Sequence, residues 1–220
     1  MSLARWSWLV GLTLVSLLVL SFIFAVRPWY MRWGATTAEA AMPLAGDRFI
    51  PSNAVVSTRA ITIHAPADRV WRWMVQLGQG RGGFYSYSWL ENLFAADMHN
   101  VNETLPELQQ LQVGDRLALM RGGEQSPVTS TVVTVLEPER TLVLGEGWTL
   151  ALVAVDAQTT RLIVRYPWVV DSPANALYYY PIFEPAHFLM ESGMMLGIKA
   201  RAEREWATAG PIPAVVEMAR

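Results

Sequence analysis

The sequence predicts an α+β domain, a curved antiparallel sheet around one long C-terminal helix, preceded by a single N-terminal transmembrane helix. Three observations carry this. Residues 7–26 (SWLVGLTLVSLLVLSFIFAV) form a run of 20 without a charge, bounded by Arg5 and Arg27. From Arg116 onward, strand-like segments follow one another across short turns, a spacing that leaves no room for crossover helices and so implies antiparallel pairing. After Pro185 the pattern turns helical and stays so to about Trp206. The composition agrees, with 52% hydrophobic and only 16% charged residues, and a mean hydropathy of +0.23, values high for a chain wholly in water.

At about 1.5 Å per residue the apolar run is about 30 Å long, the thickness of a bilayer's hydrocarbon core. Trp6, Trp8, Trp29, Tyr30 and Trp33 gather at its two ends, where amphipathic rings settle among headgroups. A cleaved signal peptide is the competing reading, because Ala38-Glu39-Ala40 imitates a cleavage site. The run exceeds a typical signal core, and Ala40 lies well beyond it with Arg27 and Arg32 between, so a retained anchor is favoured. Charge barely orients it: Arg5 faces Arg27 and Arg32, and Arg48 tips the balance toward a cytoplasmic domain.

Thr36 and Glu39 form a capping box within a juxtamembrane linker, residues 34–53. Val55–His64 reads as a strand, and Val70, Trp73, Met74 and Leu77 mark a short amphipathic helix after Pro66. Glycines 78, 80, 82 and 83 end it, and residues 87–94 suit a second short helix. Strands are expected at 116–120, 128–136, 141–144, 148–155 and 161–168. In the last, Leu162, Val164 and Tyr166 share an inner face, while Arg161, Ile163 and Arg165 share an outer, mostly wet one. Four regions result: an anchor 1–33, the linker 34–53, a domain 54–208 and a tail 209–220.

That order, strand, two short helices, antiparallel meander and long helix, is the order of the helix-grip fold. The residues themselves resemble one family. Gly78-Gln-Gly-Arg-Gly-Gly-Phe-Tyr-Ser-Tyr-Ser-Trp-Leu-Glu-Asn-Leu93, together with Arg32-Trp-Gly-Ala-Thr36, Val113-Gly-Asp115 and Glu184-Pro-Ala-His187, resembles a membrane-anchored branch of the SRPBCC (START-like, polyketide cyclase/dehydrase-like) superfamily. The resemblance covers about residues 27–206. It implies a deep apolar cavity between sheet and C-terminal helix, and it brings no activity with it.

With no cysteine, thiolate nucleophiles, Cys-ligated metals and disulfides are excluded. A net charge of −2 offers nucleic acid no electrostatic footprint. Gly78-x-Gly80-x-x-Gly83 matches the dinucleotide fingerprint in letters only, since a helix rather than a strand precedes it. The glycines instead bend the chain so that Phe84, Tyr85, Tyr87 and Trp89 either form a cavity mouth or fill the core. Asp97 with His99, and Glu184, His187 and Glu191 on one helix face, could ligate a metal or transfer protons. A structural or ligand-orienting His187 is the simpler account, and no metal or cofactor is expected. Asp68, Asp115 and Asp156 sit in turn contexts. Gly193 and Gly197 signal close approach to the last helix, of a sheet strand or of a ligand flanked by Met190 and Met194.

The function expected is binding of a hydrophobic small molecule (a lipid, an isoprenoid quinone or a polyketide-like compound) by a membrane-tethered cavity. Its wall would be Phe84, Tyr85, Tyr87, Trp89, Leu162, Val164, Tyr166, His187, Met190 and Met194. One alternative is a cyclase or dehydrase on the same fold, with His99, Tyr85 or Glu191 as acid or base. Another is a non-enzymatic accessory subunit whose anchor docks against a membrane-protein partner.

Overall fold

The computed structural model describes residues 3–209 apart from 124, 125, 127 and 128, and the side chains of residues 3–7, 9 and 209 lie outside that description. The expected tail from 210 onward, the start of the strand expected at Val128 and the ring of Trp6 therefore fall outside the described residues.

The N-terminal helix runs farther than its uncharged core. Helix α1 (Leu3–Ser21) passes through a π-turn at Phe22–Val26 into α2 (Arg27–Met31). Its residues Val10–Met31 are long and apolar enough to cross a membrane. Pro28 does not end it. A proline lacks an N–H and crowds the carbonyl four residues back, and the wider π-turn immediately upstream accommodates both.

Residues 33–50 then lie against the sheet. Thr36 caps α3 (Thr37–Ala41) through the reciprocal pair Thr36 N–H to Glu39 at 2.7 Å and Glu39 N–H to Thr36 Oγ1 at 3.1 Å. Strand β1 (Ala54–Ile63) leads to α4 (Ala67–Met74), whose Val70, Trp73 and Met74 are buried, and α5 (Ser88–Leu93) follows the glycine loop. The strands β2 (Arg116–Ala118), β3 (Ser130–Glu137), β4 (Thr141–Leu144), β5 (Trp148–Asp156) and β6 (Thr159–Val169) complete one antiparallel sheet in the order β1-β6-β5-β4-β3-β2. Helix α6 (Pro173–Tyr178), a π-turn at Tyr179–Phe183 and α7 (Glu184–Ala209) form one continuous helical path. It begins at Pro173, earlier than Pro185, and the π-turn again falls where prolines 181 and 185 remove N–H donors. The sheet wraps α7 in the helix-grip arrangement.

Pairing of Ile61 with Leu162 and Arg59 with Val164 fixes the inner face. There Ile61, Ile63, Leu150, Leu152, Leu162 and Val164 meet Met194, Met195, Ile198 and Ala202 of α7 and Trp73, Met74 and Leu77 from around α4. The outer face of β6 is not wet as its sequence pattern suggests. Arg165 is 5% exposed, and its Nη1 donates to both oxygens of Asp47 at 2.7 Å and to the Met42 carbonyl at 3.1 Å. Arg161 holds Glu39 at 2.7 and 2.9 Å. Those arginines receive the chain that enters from the N-terminal helix.

That helix is clamped to the domain. Arg27 donates twice to Glu184, each bond 2.8 Å, and the Tyr30 hydroxyl donates to the same carboxylate at 2.7 Å. Arg59, on the inner face of β1, donates its Nε–H to the Tyr30 carbonyl at 2.8 Å and pairs with Glu191 of α7. Phe188 is stacked on Tyr30 at 5.4 Å and lies edge-on to Trp29 and Trp33. Glu184 and Glu191 are both almost fully buried, so each ionised carboxylate is tolerable only with its arginine in place.

Candidate ligand cavity

Between the inner face of the sheet and the first half of α7 lies a cavity of about 640 Å³. That is the size of a small-molecule site. Its floor is a train of rings: Phe84 stacks on Trp148 at 6.2 Å, Trp148 meets Tyr166 edge-on at 5.9 Å, and Tyr166 lies against the His187 imidazole at 3.9 Å. Phe183 and Trp168, 4.1 Å apart, extend the wall toward α6. Met190 and Met194 close it from α7, and Glu146, exposed, stands at the rim.

Each side chain is put there by local geometry. Alternation along β6 sends Tyr166 and Trp168 inward beside Leu162 and Val164. Residues 187, 190, 191 and 194 recur at helical spacing and share one face of α7. Phe84 is delivered by the glycine loop, where Gly78 and Gly83 bridge one another across a tight turn. Gly83 has φ +81°, and a Cβ there would meet Asn100 Oδ1 at 2.3 Å. No helix opens at these glycines, so the dinucleotide fingerprint has no phosphate-binding context.

Of the wall expected from sequence, Phe84, Tyr166, His187, Met190 and Met194 come together on the cavity. The others do not line it. Leu162 and Val164 lie wholly in the core under α7. Tyr85 turns away into the core, edge-on to Trp73 at 5.7 Å with the Arg201 guanidinium 4.7 Å over its ring. Tyr87 is half-exposed, and Trp89 is 70% exposed on the outer side of α5 with Leu93 and Phe94. The reason is one of phase: the chain turns sharply at Tyr85, whose φ is +59°, so neighbouring aromatics diverge instead of sharing a face. Gly193 and Gly197 are explained by the same loop, not by a strand or a ligand. A Cβ on Gly193 would meet the Tyr87 ring at 2.8 Å, and one on Gly197 the Tyr85 carbonyl oxygen at 2.0 Å.

Among the acid–base candidates only Glu191 reaches the cavity. His99 is fully at the surface, 3.2 Å from Asp97, and Tyr85 is in the core, its hydroxyl pushed up in pKa by burial. Among the described residues no group of three or more His, Asp or Glu is placed to hold a metal; Glu184 and Glu191 are committed to Arg27 and Arg59. Sequence reading missed Trp148, Trp168, Phe183, Ser86 and Glu91. The spacing of Trp148 from Leu150 and Leu152, and of Trp168 from Tyr166, already marked the two tryptophans as inward residues.

The polar chemistry of the wall is uncharged or acidic. Burial holds the His187 imidazole down at a pKa of about 4, against the smaller pull of Glu191, whose Oε1 lies 3.9 Å from Nε2. The ring is therefore neutral at physiological pH. Burial raises the Tyr166 hydroxyl, with the Glu191 carboxylate adding to the effect. It also raises Glu91, against a 2.6 Å hydrogen bond from the Ser86 hydroxyl. Three wall residues carry buried polar atoms with no partner: Glu91 Oε2, Glu191 Oε1 and Trp148 Nε1.

No family model matches the chain, and no curated protein does. Solved structures similar to it include a conserved protein of unknown function from Enterococcus faecalis, at 12% identity over 76% of this chain and 80% of that one, with a TM-score of 0.38. A protein from Nitrosomonas europaea is 12% identical over 72% of this chain and 99% of its own, with a TM-score of 0.41. An aromatase/cyclase from Streptomyces sp. R1128 is 13% identical over 72% and 99%, with a TM-score of 0.38. Likeness at this level bears on neither ligand nor chemistry.

Proposed function

We propose that this chain is a membrane-tethered binding protein of the SRPBCC type that holds a hydrophobic small molecule between its sheet and its C-terminal helix. The cavity carries the reading. A space of about 640 Å³ walled by Phe84, Trp148, Tyr166, Trp168, Met190 and Met194 is apolar volume that a packed core would fill, and its few polar groups suit orientation rather than bulk solvation.

Tethering is supported by the clamp between helix and domain. Arg27, at the end of the apolar run, is fixed to Glu184 and lies 5.1 Å over the Tyr180 ring. The adjoining stretch exposes Leu177, Tyr178, Tyr180 and Ile182, an apolar patch at the level where the helix would leave a bilayer. Phe183, in the same stretch, lines the cavity, so a ligand dissolved in the membrane would meet the cavity beside the helix.

Full-length protein extracted in mild detergent should carry a copurifying apolar compound, seen by native mass spectrometry as a discrete added mass. Met190→Trp, which fills the cavity, should abolish that mass and leave the protein folded. An empty cavity together with a stoichiometric protein partner would reject binding in favour of the accessory-subunit reading. Catalysis on the same site has one observation in its favour, the convergence of Tyr166, His187 and the unpartnered Glu191 Oε1. A copurified compound chemically altered by wild type and unaltered by His187→Phe would establish it.

A further inference from the structure

We propose that the ligand presents its polar function to this cavity as an uncharged hydroxyl, an alcohol or a phenol, and not as an acid, an amine or a bare carbonyl. This rests on the reading of the cavity as a ligand site and narrows it to a chemical class.

The first ground is charge. The wall holds the carboxylates of Glu91 and Glu191, with Glu146 at the rim, and no lysine or arginine among its described residues. Arg59 does not supply one from behind, since its charge is met by Glu191 while its Nε–H is given to the Tyr30 carbonyl and its guanidinium is packed 5.2 Å over Phe188. His187, neutral, supplies none either. An acid or phosphate placed here would lie beside carboxylates in an apolar surround, with no cation to offset its lost hydration. A cation fares little better. Glu191 is already neutralised by Arg59, and an ammonium, which only donates, leaves the Trp148 Nε1–H without an acceptor.

The second ground is the unmet hydrogen bonding. Glu91 Oε2 and Glu191 Oε1 are acceptors without donors, and Trp148 Nε1–H is a donor without an acceptor. A buried polar atom left unpaired forfeits the hydrogen bonds it made in water, so a ligand group that pairs it is favoured. These atoms are closed off by their neighbours; once a small side-chain shift uncovers them, a hydroxyl, which both donates and accepts, can serve a carboxylate oxygen and the indole N–H. A carboxylate or a ketone only accepts, and an ammonium only donates. The flat train Phe84–Trp148–Tyr166–His187 adds a surface on which an aromatic or polyene skeleton stacks.

Five probes on one scaffold separate these cases: 1-naphthalenemethanol, 1-naphthylmethylamine, 1-naphthoic acid, 1-naphthaldehyde and 1-methylnaphthalene. They are measured by equilibrium dialysis at pH 7 against full-length protein in lipid nanodiscs, with empty nanodiscs as the blank. The alcohol should bind about tenfold tighter than acid or amine and several-fold tighter than the hydrocarbon. Trp148→Phe should bring the ratio of alcohol to hydrocarbon affinity close to one, the hydrocarbon correcting for whatever stacking surface the smaller ring takes from every probe. Glu91→Gln, which puts a donor where an acceptor stood, should improve the acid relative to the alcohol. Thermal melts show that each variant is folded. An acid, amine or aldehyde that binds as well as the alcohol, or an alcohol advantage untouched by Trp148→Phe, overturns the hydroxyl assignment and leaves the cavity reading standing. If none of the five, the hydrocarbon included, exceeds the blank, the cavity reading fails and the assignment with it.

Discussion

Gly193 and Gly197 lie about one turn apart on α7 and meet different neighbours in space. At 197 a methyl would collide with the backbone oxygen of Tyr85, which the left-handed turn holds in place and which Asn100 further fixes by accepting the Tyr85 N–H at 2.7 Å. At 193 it would meet the edge of the half-exposed Tyr87 ring at 2.8 Å, which can swing away, and Ser86 Cβ at 3.3 Å, which need give by only a few tenths of an ångström. Alanine gains about 1 kcal/mol of helix propensity at either position. Gly197→Ala should therefore destabilise by about 2 kcal/mol or more, while Gly193→Ala should be near neutral, as read by thermal or chemical denaturation in detergent. His187 gives a second test. Its pKa falls from the ordinary 6.5 to about 4 in the folded chain, so between those values the unfolded chain takes up a proton that the folded chain refuses. Stability is then full above pH 6.5 and declines as the pH falls toward 4, by about 2 kcal/mol between pH 7 and pH 5. His187→Phe, stacking in the same place between Tyr166 and Phe183, should flatten that decline.

Secondary structure was the most legible level, because period and turn chemistry are local. The strand at 141–144 agrees to the residue, and the alternation of β6 correctly sends Leu162 and Val164 inward. Which inward residues line a void is another matter. The void lies toward the 166–169 end of β6 and the 148 end of β5, so Tyr166 and Trp148 face it while Leu162 and Val164, on the same face, are packed solid. No local pattern records how far along a strand the opposing helix stands off. The outer arginines misled for a related reason: alternation distinguishes two faces but does not say what chain later covers one. The stretch 173–183 also hid its helicity, since its prolines read as breakers and its π-turn has no simple sequence signature. Being exposed and apolar next to Arg27, this stretch should touch the bilayer. In a chain without cysteine, Ile182→Cys can carry a lone environment-sensitive fluorophore. In liposomes it should be blue-shifted and quenched by spin-labelled lipid, and the same label at Val155→Cys, on the β5–β6 hairpin, should not. A quenched anchor with a water-exposed label at 182 would detach the patch from the membrane without questioning the anchor.

For the whole molecule the boundary between helix and domain matters most. Cutting before Gly34 removes the N-terminal helix and leaves a chain with 14 basic and 19 acidic residues, whose charge favours solubility. It also strips Glu184 of Arg27 and Tyr30, takes the Tyr30 carbonyl from Arg59, and uncovers Phe188. Leaving one buried carboxylate unpaired costs about 3–5 kcal/mol. A chain beginning at Arg27 should accordingly be more stable and better expressed than one beginning at Gly34, by thermal midpoint and soluble yield. Equal behaviour would show that the clamp contributes little.

If the helix spans a bilayer, as proposed, the same clamp couples the domain to the dimensions of its surroundings. The helix runs from Val10 to Met31 with no flexible joint, about 33 Å at 1.5 Å per residue, and its last turns are bonded into the sheet and α7. A bilayer thinner or thicker than that length must be accommodated by tilt or by displacement along the normal. With no swivel between them, tilt of the helix is tilt of the cavity. The angle and height at which the cavity meets the lipid would then differ between thin and thick membranes, and ligand exchange with them, without any residue of the binding site changing.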